Sequence, residues 1–331
     1  MAVQSISIVG GGAWGTALAQ TLAASGKTIT LWAREARVVA SIRDQRANNM
    51  FLPGITLHKS ISATTNLADI AQSDAILLVV PAQHARGVCI ELGPRLAKAT
   101  PLVMCAKGIE TATGKMMGEV VAETVPHATL AVLSGPSFAS DVARGLPAAL
   151  TLACHNETLG RRLAAALSSS QMRLYWSNDV TGVELGGAVK NVLAIAAGIV
   201  EGRGLGASAH AAIVTRGFAE LRRFGEAMGA RAETLLGLSG LGDLVLTCGS
   251  PQSRNMSLGR ALGEGTALSD ILGSRQAVTE GVYTAAAVVA LARKKGIDMP
   301  ISEAVHAIVE GSLSVDQAIA ALMTRRLKAE D

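Results

Sequence analysis

The residue whose chemistry is most at odds with its surroundings is Lys190, a lysine set amid Val183, Leu185, Val189, Leu193 and Ile195. Partial burial there would disfavour the ammonium form and lower the pKa, so that the group could act as general acid or base near neutral pH. The structural alternative is a lysine that reaches solvent along its own methylene stem, or one paired with Glu184 or another carboxylate. A second candidate is Asp243, the one carboxylate presented by the glycine-rich stretch 237–244. As an ordinary helix N-cap it would need no chemistry. Ser253, Arg254 and Asn255 offer a hydroxyl, a guanidinium fork and an amide beside a predicted helix start, a grouping that suits a phosphate and equally fits a solvated turn. Lys107, at the carboxyl end of a predicted strand, is open to both kinds of reading.

These groups gain a context from the first thirty-five residues. Ile6, Ile8 and Val9 form the near-continuous apolar run of a strand buried on both faces. Gly10-Gly11-Gly12-Ala13-Trp14-Gly15 follows at once, with Gly10, Gly12 and Gly15 in the G-x-G-x-x-G spacing. The first glycine permits the tight turn, the second lets backbone amides approach a pyrophosphate, and the third lets helix and strand touch. A helix is predicted over 14–25 and a strand over 29–32, so the turn sits where a dinucleotide would meet a helix N-terminus. The alternative is a glycine turn of purely structural use. After the second strand come Arg34 and Glu35. An acid about twenty residues beyond the turn binds a ribose 2′-hydroxyl, whereas an arginine accommodates a 2′-phosphate. Adjacent side chains are expected to point apart, with Arg34 facing the ribose. In the converse arrangement Glu35 holds NAD and Arg34 pairs with a neighbouring carboxylate.

Composition narrows the class. The chain has 331 residues, 49% hydrophobic and 17% charged, which is globular and long enough for two cores. A net charge of +4 and only 3% aromatics, with no Lys/Arg block, give no nucleic-acid surface. The four cysteines lie far apart and the six histidines follow no ligand spacing, so reduced packing thiols and no metal are expected. The absence of an export signal makes the cytoplasm the expected location. Further strands are predicted at 75–80, 102–106, 130–133, 148–152 and 173–176, alternating with helical segments, which implies an open, doubly wound, mostly parallel sheet. In such sheets ligands bind beyond the carboxyl ends of the strands. From about residue 180 strand signals cease and long Ala/Leu/Val helices take over, the first over 183–199. The expected organisation is α/β over residues 1–180, a Rossmann-type dinucleotide-binding domain, followed by an all-α substrate and catalytic domain over 181–331. Glu184, Lys190 and many Gly and Ala positions make helix 183–199 a soluble core helix and not a membrane span.

The ordered motifs carry a resemblance. Gly10 to Ala19, Cys105 to Glu110, Ser134 to Ala139, Glu184 to Val192, Gly240 to Leu244, Ser253 to Asn255 and Val278 to Gly281 together resemble the bacterial NAD(P)-dependent glycerol-3-phosphate dehydrogenases over nearly the whole chain. The resemblance implies an NADPH- or NADH-dependent interconversion of dihydroxyacetone phosphate and sn-glycerol 3-phosphate, feeding phospholipid synthesis. It places the proton-transfer lysine at Lys190 and substrate contacts at Lys107, Gly135, Ser137, Asp243, Ser253, Arg254 and Asn255. Cofactor contacts fall on Ala13, Trp14, Arg34, Lys107, Ala139, Arg254, Val278 and Glu280, beside Gly10, Gly12 and Gly15. A homodimer is compatible with the sequence but not fixed by it. The nearest enzymatic rival is a dehydrogenase of the 3-hydroxyacid or 6-phosphogluconate type, whose substrates carry a carboxylate. A rival of another class is a sensor that keeps the fold without turnover.

Overall fold

Strand β1 (Ser5–Val9) heads a sheet completed by β2 (Thr28–Trp32), β3 (Ile61–Thr64), β4 (Ala75–Leu78), β5 (Pro101–Met104), β6 (Thr129–Ser134), β7 (Ala148–Ala153) and β8 (Met172–Ser177). The computed structural model describes residues 3–273 and 278–326; the extremes of the two expected domains, 1–2 and 327–331, and the stretch 274–277 lie outside the described residues. The strand order is β3-β2-β1-β4-β5-β6-β7-β8, and all neighbours are parallel except β6 and β7. Its first six strands alternate with α1 (Ala13–Ala24), α2 (Ala36–Gln45), α3 (Ala82–Leu92), α4 (Met117–Thr124) and α5 (Ala139–Ala143), and α6 (Glu157–Leu167) joins β7 to β8. Ala75 and Leu77 of β4 enter one apolar core while Ile76 and Leu78 enter the other, so the strand is apolar throughout because both faces are covered. The order reverses between β1 and β4, which opens a crevice at their carboxyl ends.

Strand β3 and helix α4 are among the elements that the sequence pattern does not place. Strand β3 has only four residues, two of them polar, and owes its form to pairing with β2 from Ile29–Ile61 to Trp32–Thr64. Helix α4 is short, and its start is stabilised by Glu119, which accepts a hydrogen bond from the Met116 amide at 2.8 Å.

The remaining described helices are α7 (Val180–Gly202), α8 (Gly206–Ala227), α9 (Ala232–Leu236), α10 (Asp243–Cys248), α11 (Arg254–Gly263), α12 (Leu268–Gly273), α13 (Glu280–Lys295), α14 (Pro300–Glu310) and α15 (Val315–Met323), with a π-helical turn over Leu238–Gly242. Helix α7 is the axle of this half. Asp179 caps it, accepting from the Gly182 amide at 2.9 Å. It is long and apolar enough to cross a membrane, yet 94% of its apolar window is buried inside the protein. Its glycines explain how a core helix can be wrapped so closely. A Cβ on Gly198 would lie 2.0 Å from the Met256 carbonyl oxygen, and one on Gly259 of α11 would lie 2.0 Å from that of Ile195. The two backbones touch where larger residues would hold them apart. Gly198→Ala must therefore push α7 from α11, and overpacking of this kind costs on the order of 1–3 kcal/mol. Chemical or thermal unfolding of the variant should show that loss, and an unchanged midpoint would mean that the helices separate freely.

Candidate active site

A cavity of about 680 Å³ lies between the carboxyl ends of the strands and the helical half. Gly10, Gly12, Ala13, Trp14 and Gly15 line it beyond β1, Arg34 beyond β2, Lys107 beyond β5, and Ser137 and Ala139 beyond β6. Lys190, Asp243, Ser253, Arg254, Asn255, Val278 and Glu280 line it from the helical side. Of the residues singled out in the sequence, Gly135 does not line it. Its carbonyl stands behind, accepting from Lys107 Nζ and Ser137 Oγ, each at 3.1 Å.

The floor is a shared carboxylate. Lys190 Nζ donates to Asp243 Oδ1 at 2.6 Å and to Thr247 Oγ1 at 2.7 Å, while Lys107 Nζ donates to Asp243 Oδ2 at 2.6 Å. Thr247 in turn donates to Asp243 Oδ1 at 3.2 Å, so its lone pairs face the lysine. Gly242, not Asp243, occupies the position ahead of α10, and the Asp243 side chain serves the lysines and not a helix cap. Nor does Lys190 pair with Glu184. That carboxylate accepts from the Gly118 amide at 2.6 Å, and burial raises it to about 7.

Burial is the largest influence on both partners. It pushes Lys190 down to about 8, against the raising effect of Asp243, and the nearby Lys107 ammonium adds to the lowering. For Asp243 burial acts upward, but the two ammonium groups outweigh it and hold the carboxyl below its ordinary value. The result is an ionised carboxylate beneath a lysine that can exchange a proton near neutral pH. Two of the three Lys190 ammonium hydrogens are held by protein, which leaves one for the cavity.

Sequence reasoning missed three contributors. Thr247 lies one helical turn after Asp243, a spacing that could have found it. Asn191 follows Lys190 and donates to the Lys107 carbonyl at 3.2 Å, tying the two lysine segments together. Gln252, ahead of the phosphate-suited trio, also lines the cavity. Within that trio Ser253 caps α11, its hydroxyl accepting from the Met256 amide at 3.2 Å. The Asn255 amide is engaged on both sides, donating to Asn191 Oδ1 at 2.9 Å and accepting from the Gly281 amide at 3.0 Å.

The other end of the cavity fits a dinucleotide. Helix α1 has neither a side-chain cap nor an acid in its first turn, so its N-terminal amides can meet an anion. Gly10 has φ +132, and its Cβ would lie 2.8 Å from the Val79 backbone; a Cβ on Gly15 would lie 2.0 Å from the Gly10 oxygen. Among the described residues nothing outside its chain neighbours and its own helix lies within 4 Å of a Cβ built on Gly12, so open space stands where a pyrophosphate would approach. The Trp14 indole N–H is buried without a hydrogen-bond partner among the described residues, a donor in want of an acceptor. Glu280 accepts from the Ala82 amide at 3.0 Å, joining α13 to the start of α3 at this end.

One expectation needs correction. Arg34 and Glu35 do not point apart; Arg34 Nη2 binds Glu35 Oε1 at 3.0 Å, with the side chains 71% and 27% exposed. Strand alternation ends with β2 at Trp32, and Arg34 stands in a bend beyond it where neighbours can meet.

The chain is similar to known proteins over its whole length. Residues 5–160 match the family model for the NAD-dependent glycerol-3-phosphate dehydrogenase N-terminus and residues 179–320 that for its C-terminus. A glycerol-3-phosphate dehydrogenase [NAD(P)+] of Parvibaculum lavamentivorans is 59% identical over 100% of this chain and 99% of its own, and that of Caulobacter vibrioides 56% identical over 100% of each. The crystal structure of glycerol-3-phosphate dehydrogenase from Coxiella burnetii superposes with a TM-score of 0.93 at 39% identity, covering 97% of this chain and 99% of that one.

The shared carboxylate yields a direct test. Because the Asp243 charge raises the Lys190 pKa, Asp243→Asn should move the titration of this lysine below about 8. NMR of the lysine side-chain nitrogens would follow it, and an unmoved or raised titration would show that Asp243 does not set it.

Proposed function

The chain belongs to the NAD-dependent glycerol-3-phosphate dehydrogenase family, and we propose that Lys190 is the group that moves the proton in its reaction. The protein is an NAD(P)-dependent oxidoreductase that interconverts dihydroxyacetone phosphate and sn-glycerol 3-phosphate. The nicotinamide, when bound, supplies or accepts the hydride exchanged with C2 of the substrate. In reduction the Lys190 ammonium directs its remaining hydrogen at the C2 carbonyl oxygen, polarises it, and transfers the proton as the alkoxide forms. The amine then recovers a proton from solvent. In oxidation the neutral amine takes the hydroxyl proton of glycerol 3-phosphate. Asp243 keeps the ammonium charged enough to donate, and Thr247 fixes where it points.

The carrying observation is that the buried Lys190 ammonium opens on the same cavity as the glycine turn, with all but one of its hydrogens held by protein. Ser253, Arg254 and Asn255, at the N-terminus of α11, are proposed to receive the substrate phosphate, with Lys107, Gly135 and Ser137 shaping the other side of the pocket. Ala13, Trp14, Ala139, Val278 and Glu280 are proposed to hold the cofactor with Gly10, Gly12 and Gly15. Residues 1–180 then form the cofactor-binding domain and 181–331 the substrate and catalytic domain. Supply of glycerol 3-phosphate to phospholipid synthesis, a cytoplasmic location and a homodimer complete this reading.

The test is NADH or NADPH absorbance with dihydroxyacetone phosphate as substrate. Lys190→Ala should still bind cofactor while losing on the order of 10² to 10⁴ in turnover, the range of a positioned acid or base. In the wild type, reduction needs the protonated lysine and should decline as pH rises through about 8, whereas oxidation should rise over the same interval. A folded Lys190→Ala enzyme with normal kcat, or pH profiles of equal sign in both directions, would remove Lys190 from the chemistry.

The rim sets cofactor choice. Arg34 is proposed to leave Glu35 for a 2′-phosphate, so NADPH should serve at least as well as NADH, and Arg34→Ala should weaken NADPH more than NADH. Comparison of kcat/KM for both cofactors decides it: a strong wild-type preference for NADH, or equal losses in the variant, would assign the ribose to Glu35.

A further inference from the structure

Ser140 on α5 and Gln252 ahead of α11 stand on facing walls of the cavity, 112 residues apart in sequence. The Ser140 hydroxyl donates to Gln252 Oε1 at 2.9 Å, and also lies 3.3 Å from Asp141 Oδ1. The Gln252 main-chain amide is taken up by Ser250 Oγ at 3.2 Å, which fixes the backbone from which the side chain springs. Its Nε2 donates to no protein group among the described residues. With the carbonyl end of a planar carboxamide held by Ser140, the amide end of this exposed side chain presents two N–H donors at the cavity mouth that no described residue engages.

The neighbours say what such donors would meet. Gln252 directly precedes Ser253, the N-cap of α11, and Arg254, which lines the same cavity. Helix amides, a guanidinium and a free carboxamide N–H together suit the several oxygens of a phosphoryl group. We propose that Gln252, held in place by Ser140, is a specificity residue that donates from Nε2 to a phosphoryl oxygen of the substrate. The proposal rests on the dehydrogenase reading above and adds to the phosphate site a residue from outside the Ser253-Arg254-Asn255 trio. A cofactor phosphate is the other source of the same chemistry, since Ser140 adjoins Ala139. The substrate is favoured because Gln252 belongs to the segment that carries Arg254.

Steady-state kinetics on the full chain tests this with Gln252→Ala, Gln252→Glu and Ser140→Ala, each checked for folding by its melting temperature. Gln252→Ala should raise KM for dihydroxyacetone phosphate by about 10-fold, the loss expected for one hydrogen bond to a charged group. Its kcat, its KM for NADPH and its kcat/KM for unphosphorylated dihydroxyacetone should stay within about 2-fold, because the lost contact is confined to the phosphate. Gln252→Glu should do worse by a further factor of about 10, a carboxylate now facing the phosphate. Ser140→Ala, which removes the holder and keeps the donor, should raise the same KM by only about 2-fold. An unchanged KM for dihydroxyacetone phosphate in Gln252→Ala overturns the proposal, as does a rise confined to NADPH. Equal effects of Ser140→Ala and Gln252→Ala on that KM would reduce the pair to a brace across the mouth and also overturn it. Failure of the wild type to reduce dihydroxyacetone phosphate at all would instead fell the dehydrogenase reading, and is thereby distinguished.

Discussion

The interaction on which the rest depends is one buried carboxylate held between a buried ammonium group and a partly buried one. Asp243 meets Lys190 through one oxygen and Lys107 through the other, at 2.6 Å each. The three groups come from three places: Lys107 follows the carboxyl end of β5, α7 carries Lys190, and α10 begins with Asp243. Each is costly alone. Removing one partner from a buried pair costs about 3–5 kcal/mol, because the other charge is left without compensation. The sheet and the helical half are therefore joined at the point where the proton is proposed to move. Two positive groups and one negative one also leave the floor with a net positive charge, which favours an anionic guest.

That arrangement requires α7 to be placed accurately, and the sequence spends small residues to do it. Gly198 and Gly259 bring α7 and α11 into backbone contact, and α11 carries Ser253 at its cap and Asn255 in its first turn. Asn255 holds Asn191, and Asn191 holds the Lys107 carbonyl. The proposed phosphate end and the proposed proton-transfer end are thus connected through one rigid helix pair and two amides. At its other end α7 is seated by the Asp179 cap and by Glu184 on the start of α4.

Much of this was legible in the sequence, for identifiable reasons. The glycine turn declares itself because each glycine answers a local need, and β4 because both faces of a parallel strand must be apolar. Lys190 stands out by being charged in an apolar helix. The sequence could not show what it pairs with. Glu184, six residues away, was as eligible as Asp243, 53 residues away, and only the tertiary fold decides between them. Strand β3 failed for the same reason in another form, since its four residues become a strand through β2. Arg34 and Glu35 failed because alternation was carried past the end of the strand that enforces it.

The cavity is buried at the floor and exposed at the rim, and this gradient separates the proposed chemistry from the proposed selectivity. Lys190 and Asp243 are 7% and 1% exposed, so their attraction is little screened and their geometry hard to exchange. Arg34 is 71% exposed, and an ion pair at such a surface contributes only about 0–1 kcal/mol. The 2′-phosphate proposed as its partner would replace Glu35 at small cost, while Asp243 beneath Lys190 is held from both sides. Ser140 and Gln252, joined by one hydrogen bond at the mouth, lie on the exchangeable side of the same divide. On the proposed reading, changes at the rim alter which phosphates are held without moving Lys190, because the groups that set its pKa lie beneath it and not between it and the solvent.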